Sequence, residues 1–263
     1  MSSNHSWNGS QYEKTSDVQA GVADDLIKDL GIKPRESVLD VGCGIGNITK
    51  DIASIACDGR VVGIDESSAM IDQARKNLSS QDSENISFQV MSATDLQFDK
   101  QFDVVFSNSV LHWIKRQELA LRSMYRCLKP GGRIGLQFPL LDSSHPMVMF
   151  VQEVIHSLQF DQKYTDWQFP WFVPESIDAY ADLMEQTKFK NIAVREAETF
   201  YTFETESTVL GFFNVVGLDL FLRPLSQKDG DLLKNALKTL IEQYRTENGV
   251  RLSFHRLYAR ANL

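Results

Sequence analysis

Cysteine is scarce in this chain of 263 residues: Cys43, Cys57 and Cys127 are odd in number and widely spaced. They form no C-x-x-C pair and no zinc-ligand spacing, so neither a disulfide framework nor a metal site is expected. Positive charge is also in short supply, 27 Lys plus Arg against 35 Asp plus Glu, giving a formal net charge of −8 with no basic run. Nucleic acids and anionic membranes are held by clustered cations, so both are disfavoured as partners. No apolar stretch approaches the ~20 residues that cross a bilayer; the longest, around Val209–Leu222, carries Asn214 and Asp219. The polar start, Met1–Gln11, lacks a basic flank followed by an apolar core, so no secretory leader is read there. A cytoplasmic location is the default expectation. Internal repeats and low-complexity tracts are missing.

What is present is material for a core. Apolar residues make up 43% of the chain, and the length suits one enlarged domain or a core with an elaboration. Short β-branched or aromatic bursts at Ser37–Val41, Arg60–Ile64, Ile86–Met91, Phe102–Phe106 and Arg133–Phe138 alternate with helical patterns at Ile48–Ile55, Ser67–Leu78 and Glu118–Leu128. Such alternation means βαβ units and a parallel sheet covered on both faces. A helix over Val18–Leu30 precedes the block, with Gly31 and Pro34 ending it. Beyond Phe138 the rhythm changes. Met147–Leu158, Glu175–Thr187, Glu206–Leu222 and Lys228–Tyr244 read as helices, Asn191–Ala197 and Arg251–Tyr258 as strands.

The densest signal is Asp40-Val-Gly42-Cys43-Gly44-Ile-Gly46, a buried strand running through glycines into a helix. Glycines there let the backbone turn tightly and approach a ligand. The spacing is neither the G-x-G-x-x-G of dinucleotide folds nor a Walker loop, and Asp40 is a poor neighbour for a pyrophosphate. Asp65 ends the second strand 19 residues beyond Gly46, about where an acid meets a ribose in a βαβ nucleoside site. Glycine in a plain βα turn, with Asp65 merely capping the next helix, is the competing reading. Asp40, the spacing to Asp65 and the later Leu128-Lys-Pro-Gly-Gly132 weigh for a nucleoside pocket that takes a non-phosphorylated, cationic ligand.

Together with Phe102-Asp-Val-Val-Phe-Ser107, these segments resemble the successive motifs of class I S-adenosylmethionine-dependent methyltransferases, over about residues 10–138 and in outline beyond. The resemblance implies an α/β, Rossmann-like, seven-stranded, mostly parallel sheet flanked by helices, its last strand antiparallel, with a helical substrate cap inserted in the C-terminal half. The corresponding division is an N-terminal arm and helix over 1–35, a cofactor-binding core over 36–139, cap insertions at 140–190 and 200–248, and the last two strands at 191–199 and 249–263. It also implies S-adenosyl-L-methionine as cofactor, with Asp40, Gly42, Cys43 and Gly44 along its methionine part and Asp65, followed by Glu66, at the ribose. Met70 would lie against the adenine, with core packing an equal alternative. Where relatives carry an acid and Ala after the third strand, this chain has Ser92-Ala93-Thr94, and Ser107 follows the fourth. Tyr12 and Gln19 match the family's cofactor-covering segment; a loosely packed arm is the alternative.

The stretch Ser107-Asn-Ser-Val-Leu-His112-Trp113 is most similar to small-molecule carboxyl methyltransferases, among them the trans-aconitate, juvenile hormone acid and malonyl carrier-protein enzymes. His112 is a candidate base, since it titrates near neutrality; a structural His beside Trp113 is the alternative. The aromatic segment holding Tyr164, Trp167 and Trp171 stands where the family places its substrate cap, and would serve equally as a packed core. Arg223 is a candidate for holding an anion. A carboxylate acceptor needs no base, only proximity, orientation and hydrogen-bond donors. The expected function is therefore methylation of a small-molecule carboxylate, with no metal, nucleic-acid or membrane partner. Two alternatives stand: nitrogen, carbon or hydroxyl methylation with a base such as His112, and a silent cofactor-binding module.

Overall fold

In the computed structural model, which describes residues 16–78 and 84–263 (backbone alone for 16–22), the chain divides into two compact units. Residues 16–139, 172–197 and 256–263 form the first, residues 140–171 and 198–255 the second. The strands are β1 (Ser37–Val41), β2 (Arg60–Asp65), β3 (Ile86–Val90), β4 (Phe102–Asn108), β5 (Leu128–Pro139), β6 (Lys190–Phe203), β7 (Arg245–Thr246) and β8 (Gly249–Asn262). The helices are α1 (Ser16–Leu30), α2 (Asn47–Ile55), α3 (Ser68–Asn77), α4 (Gln117–Cys127), α5 (Pro146–Ser157), α6 (Ile177–Gln186), α7 (Glu206–Val216), α8 (Leu218–Leu222) and α9 (Gln227–Glu242).

The sheet of the first unit runs β3-β2-β1-β4-β5-β8-β6. Neighbours from β3 to β5 are parallel, and β8 is antiparallel to β5, from Arg133↔Asn262 to Pro139↔Arg256. This is the expected mixed α/β fold with a mostly parallel sheet. Among the described residues the count is eight rather than seven, because the two-residue β7 pairs with β8. The central strands are buried on both faces: Val38, Leu39, Val41, Val61, Val62, Ile64, Phe102, Val104, Val105 and Phe106 are at most 2% exposed. That is why they read as unbroken apolar bursts rather than as alternation. Helix α3 starts at Ser67, whose Oγ accepts from Met70 N at 3.4 Å, as capping chemistry requires.

Two edges were harder to read. Strand β6 extends to Phe203 and β8 from Gly249 to Asn262, well beyond the apolar cores of each. In β6 most residues are exposed or half-buried, and a strand ending the sheet path can carry polar side chains that hide it. The apolar stretch Glu206–Leu222 is two helices, not one. It breaks at Gly217, whose φ of 128° no side-chain-bearing residue adopts readily.

In the second unit, α5 begins with Pro146 behind His145, whose Nδ1 accepts from Met147 N at 3.3 Å. Its apolar face carries Phe150, with Phe213 and Tyr244 at ring-centroid distances of 6.3 and 4.8 Å. Phe254 of β8 meets Phe203, Phe212 and His145.

One buried-edge network ties β5 to α1. Arg133 takes Glu36 by two bonds of 2.8 Å, and its Nε and Nη2 donate to the carbonyls of Leu30 and Gly31 at 2.7 and 3.1 Å. These carbonyls are orphans at the end of α1, so the guanidinium caps the helix while it pairs with the acid. Arg133→Ala is expected to cost about 2 kcal/mol in urea unfolding; a loss below about 0.5 kcal/mol would mean the network is a surface ornament.

Candidate functional site

Parallel strands present their carboxyl ends at one edge of the sheet, and the site is assembled there from the ends of β1, β2, β3 and β4. After β1 the chain turns at Gly42 and folds over β2, with Gly42 N and Cys43 N both donating to Ile64 O at 2.7 and 2.9 Å. Gly42 holds φ at 79°, and a Cβ on it would stand 2.2 Å from Val110 Cγ2. Gly44 holds φ at 54° and its missing Cβ faces open space. Gly46, φ 83°, starts α2; a Cβ there would meet Phe88 at 2.5 Å. The turn therefore needs glycine at all three positions, for two different reasons. At Gly42 and Gly46 the protein itself fills the room; at Gly44 the backbone is bare toward space that a ligand can enter.

Two carboxylates flank this turn. Asp40, 2% exposed, receives the Thr49 hydroxyl on Oδ2 at 2.6 Å. Burial pushes its carboxyl up to about 7, against the pull of Thr49 and with the Asp65 charge adding to the rise. Asp65 at the end of β2 accepts Ser67 N on Oδ1 at 2.8 Å and Gly44 N on Oδ2 at 3.1 Å. Its carboxyl is also raised, by burial first, with those two N–H bonds opposing. Each Asp65 oxygen carries one bond, which leaves lone pairs for a vicinal diol. Cys43 lies between the two acids, its thiol driven up by burial and by both charges, so it is inert as a nucleophile.

The remaining candidates surround this frame. Glu66 is exposed and Met70 is buried at 4% on α3. Ser92 and Thr94 share a hydroxyl contact of 3.1 Å after β3, with Ala93 between them 8% exposed. Met91 N donates to Asp65 O at 3.0 Å, which sets this loop beside the end of β2. Ser107 Oγ donates to Val41 O at 2.9 Å and so ties β4 to the root of the glycine turn. His112, 4% exposed, and Trp113 occupy a 3-10 turn over Leu111–Trp113, their rings 5.2 Å apart. Gln117 holds that turn by donating to Leu111 O and Ile114 O at 2.6 and 2.5 Å, and receives Tyr180 OH at 3.3 Å. Phe172 N donates to His112 O at 2.7 Å.

Tyr164, Trp167, Trp171 and Arg223 belong to the second unit. Tyr164 OH donates to Phe221 O at 2.6 Å and Trp167 Nε1 to Leu220 O at 3.1 Å, and Trp167 and Trp171 lie 4.7 and 5.7 Å from the Phe221 ring. Together they form an aromatic cluster on α8. Arg223 pairs with Asp219 at 3.7 Å. Tyr12 lies outside the described residues, as does the side chain of Gln19. Among the described residues, no group of three or more His, Cys, Asp or Glu side chains could hold a metal, and no helix is long and apolar enough to cross a membrane.

A model of the methyltransferase domain matches residues 32–192. The chain belongs to the methyltransferase domain family. The curated methyltransferase C70.08c of Schizosaccharomyces pombe, itself uncharacterized, is 29% identical over 190 residues, 70% of each chain. Trans-aconitate 2-methyltransferase of Methylobacterium nodulans is 29% identical over 144 residues, 54% of each chain. Among solved structures, phosphoethanolamine N-methyltransferase 2 of Haemonchus contortus shares the fold, with a TM-score of 0.57 and 21% identity over 92% of this chain and 52% of that one. The chain thus spans about half the length of that neighbour. This methyltransferase depends on S-adenosylmethionine. The open space at Gly44, the free lone pairs of Asp65 and the buried acid at Asp40 fit a cationic nucleoside.

Thr49 and Gln117 are part of this frame yet carry no mark in the sequence. Each acts through a hydrogen bond to a residue chosen by the fold. Asp40 yields a test of pH dependence. A carboxyl raised in the folded state favours folding while protonated, so its contribution is complete below about 4 and is lost as pH rises toward about 7. The melting temperature of Asp40→Asn minus that of the parent should therefore grow between about pH 5 and 8. A difference that stays flat across that range overturns the buried, proton-holding Asp40.

Proposed function

We propose that this methyltransferase acts on a small molecule and forms a methyl ester on one of its carboxylates. The observation that carries the reading is the make-up of Ser107–Ile114, at the end of β4 and just after it: hydroxyls, one amide and one imidazole, with no carboxylate to serve as a base. A carboxylate acceptor is already ionised at neutral pH, so nothing has to remove a proton from it. The trans-aconitate 2-methyltransferases among the relatives, 29% to 31% identical over roughly half of this chain, are consistent with such an acceptor.

In this reading Asp40, Gly42, Cys43 and Gly44 hold the methionine part of the cofactor, and Asp65 its ribose. Met70 and the Ser92–Thr94 loop receive the adenine, and Glu66 lies at the ribose rim. When bound, the sulfonium supplies the methyl group and a thioether leaving group. The chain's own part is to hold an acceptor oxygen at the methyl carbon and keep water away, which is worth orders of magnitude in rate. His112 and Trp113 orient the acceptor from a turn that Gln117 keeps rigid. Tyr164, Trp167, Trp171 and Arg223 are assigned to the acceptor's body. Burial raises the Tyr164 phenol to about 12, so it keeps the proton that it donates to Phe221 O.

The buried imidazole of His112 favours a second reading, base-assisted methylation of a hydroxyl or amine. The two part on product chemistry. A screen of carboxylic acids, amines and phenols with S-adenosylmethionine should give a product that mild alkali returns to the acid, and His112→Gln should keep the parent's pH profile. An alkali-stable product, or a pH limb that vanishes in His112→Gln, would favour the base.

A further inference from the structure

We propose that the side-chain amides of Asn108 and Gln137 form the cradle that receives a carboxylate oxygen of the methyl acceptor; this rests on the acceptor reading above. Asn108 ends β4 and pairs in register with Gln137 of β5, so the two side chains leave the sheet on the same face. Gln137 is fully buried and Asn108 is 7% exposed. Among the described residues, neither amide atom of Asn108 has a hydrogen-bond partner, and neither does Gln137 Nε2. Folded chains leave few buried amides unmet, because each forfeits its bonds to water without replacement. Two neighbours in register, both unmet among the described residues, mark a place suited to a ligand group.

The pair is also aimed. Gln137 Oε1 accepts from Ser109 Oγ at 3.2 Å, and Ser109 N donates to Gln137 O at 2.7 Å. Ser109 adopts φ 59° to do so, a conformation uncommon outside glycine. The bond occupies the oxygen end of the Gln137 amide and leaves Nε2, with two N–H groups, for something else. Asn108 Nδ2 brings two more. Four N–H groups against one unmet acceptor, Asn108 Oδ1, favour an anion.

Position along the sheet edge separates acceptor from cofactor. The strands run β2, β1, β4, β5. Asp65 ends the first, the glycine turn follows the second, and Asn108 and Gln137 lie on the last two. With strands ~4.8 Å apart, β5 lies about 14 Å from β2, past the stretch assigned to ribose and methionine. Arg256, 4% exposed, stands in register opposite Pro139 and leaves β8 on the same face as Gln137. It brings positive charge to this end of a chain whose net charge is −8. Neutral amides and a shared guanidinium thus answer how an acidic protein takes an anionic substrate.

Calorimetry on the full chain tests this, with S-adenosylhomocysteine saturating and trans-aconitate as the probe. The parent should bind the probe, and Asn108→Leu and Gln137→Met should each weaken it about tenfold or more, the scale of one hydrogen bond to a charge. Their S-adenosylhomocysteine affinity should stay within about twofold, and their melting temperatures should hold or rise, since an unmet amide has been removed. The same-shape variants Asn108→Asp and Gln137→Glu should abolish probe binding by repulsion, and they serve if the apolar variants fail to fold. Probe binding unchanged in the variants would overturn the amide cradle while the carboxylate reading survives. A parallel loss of S-adenosylhomocysteine affinity would overturn it in favour of a cofactor role. No probe binding by the parent would overturn the carboxylate reading and the cradle's ligand class with it.

Discussion

The site depends on a backbone that reverses direction within three residues of β1. Gly42 and Cys43 give both their N–H groups to the Ile64 carbonyl, and no side chain separates Gly42 from Val110. Those contacts bind the ends of β1, β2 and the segment after β4 into one edge. Gly44 then delivers its N–H to Asp65, so the turn and the acid are oriented by the same bond. The glycine spacing is a packing requirement on one side and a ligand requirement on the other. A Cβ at Gly42 collides with the protein, whereas one at Gly44 meets only space.

The electrostatics follow from that geometry. Asp40 and Asp65 are drawn out of water by the sheet and helices around them, and burial raises both carboxyls. A protein does not gain stability from two such neighbours; it tolerates them when a cation completes the site. Thr49, Ser67 and Gly44 compensate part of the cost with hydrogen bonds. In the reading proposed above, a positively charged cofactor supplies the remainder. The amide pair at Asn108 and Gln137 repeats the pattern with the opposite sign: groups that water would satisfy are kept from it at the proposed acceptor end. Both features read as stability given up for binding.

Much of this was legible before the fold was known. The apolar bursts of β1, β2 and β4 matched their strands because both faces are covered, and the glycine turn and Asp65 stand where the strand-then-helix pattern put them. Other elements were hidden for physical reasons. Strand β6 carries Glu196, Glu198 and Thr202 within its run, which masks its length. Gly217 breaks a stretch that is apolar enough to read as one helix, because a single φ outweighs its neighbours' preference. Gln137 stood in plain view as a polar residue inside the apolar run Ile134–Phe138, but its significance lies in register with Asn108.

The sequence by itself determined the family, the parallel core and the chemistry of the cofactor side, because those rest on local patterns: strand, tight turn, helix, acid. Only the tertiary structure decided which polar groups meet and which do not. Asp40 with Thr49, Asp65 with Gly44, and the unmet pair Asn108 and Gln137 are relations between residues nine to twenty-nine apart. Burial and hydrogen-bond satisfaction are properties of the packed chain, and no local pattern encodes them.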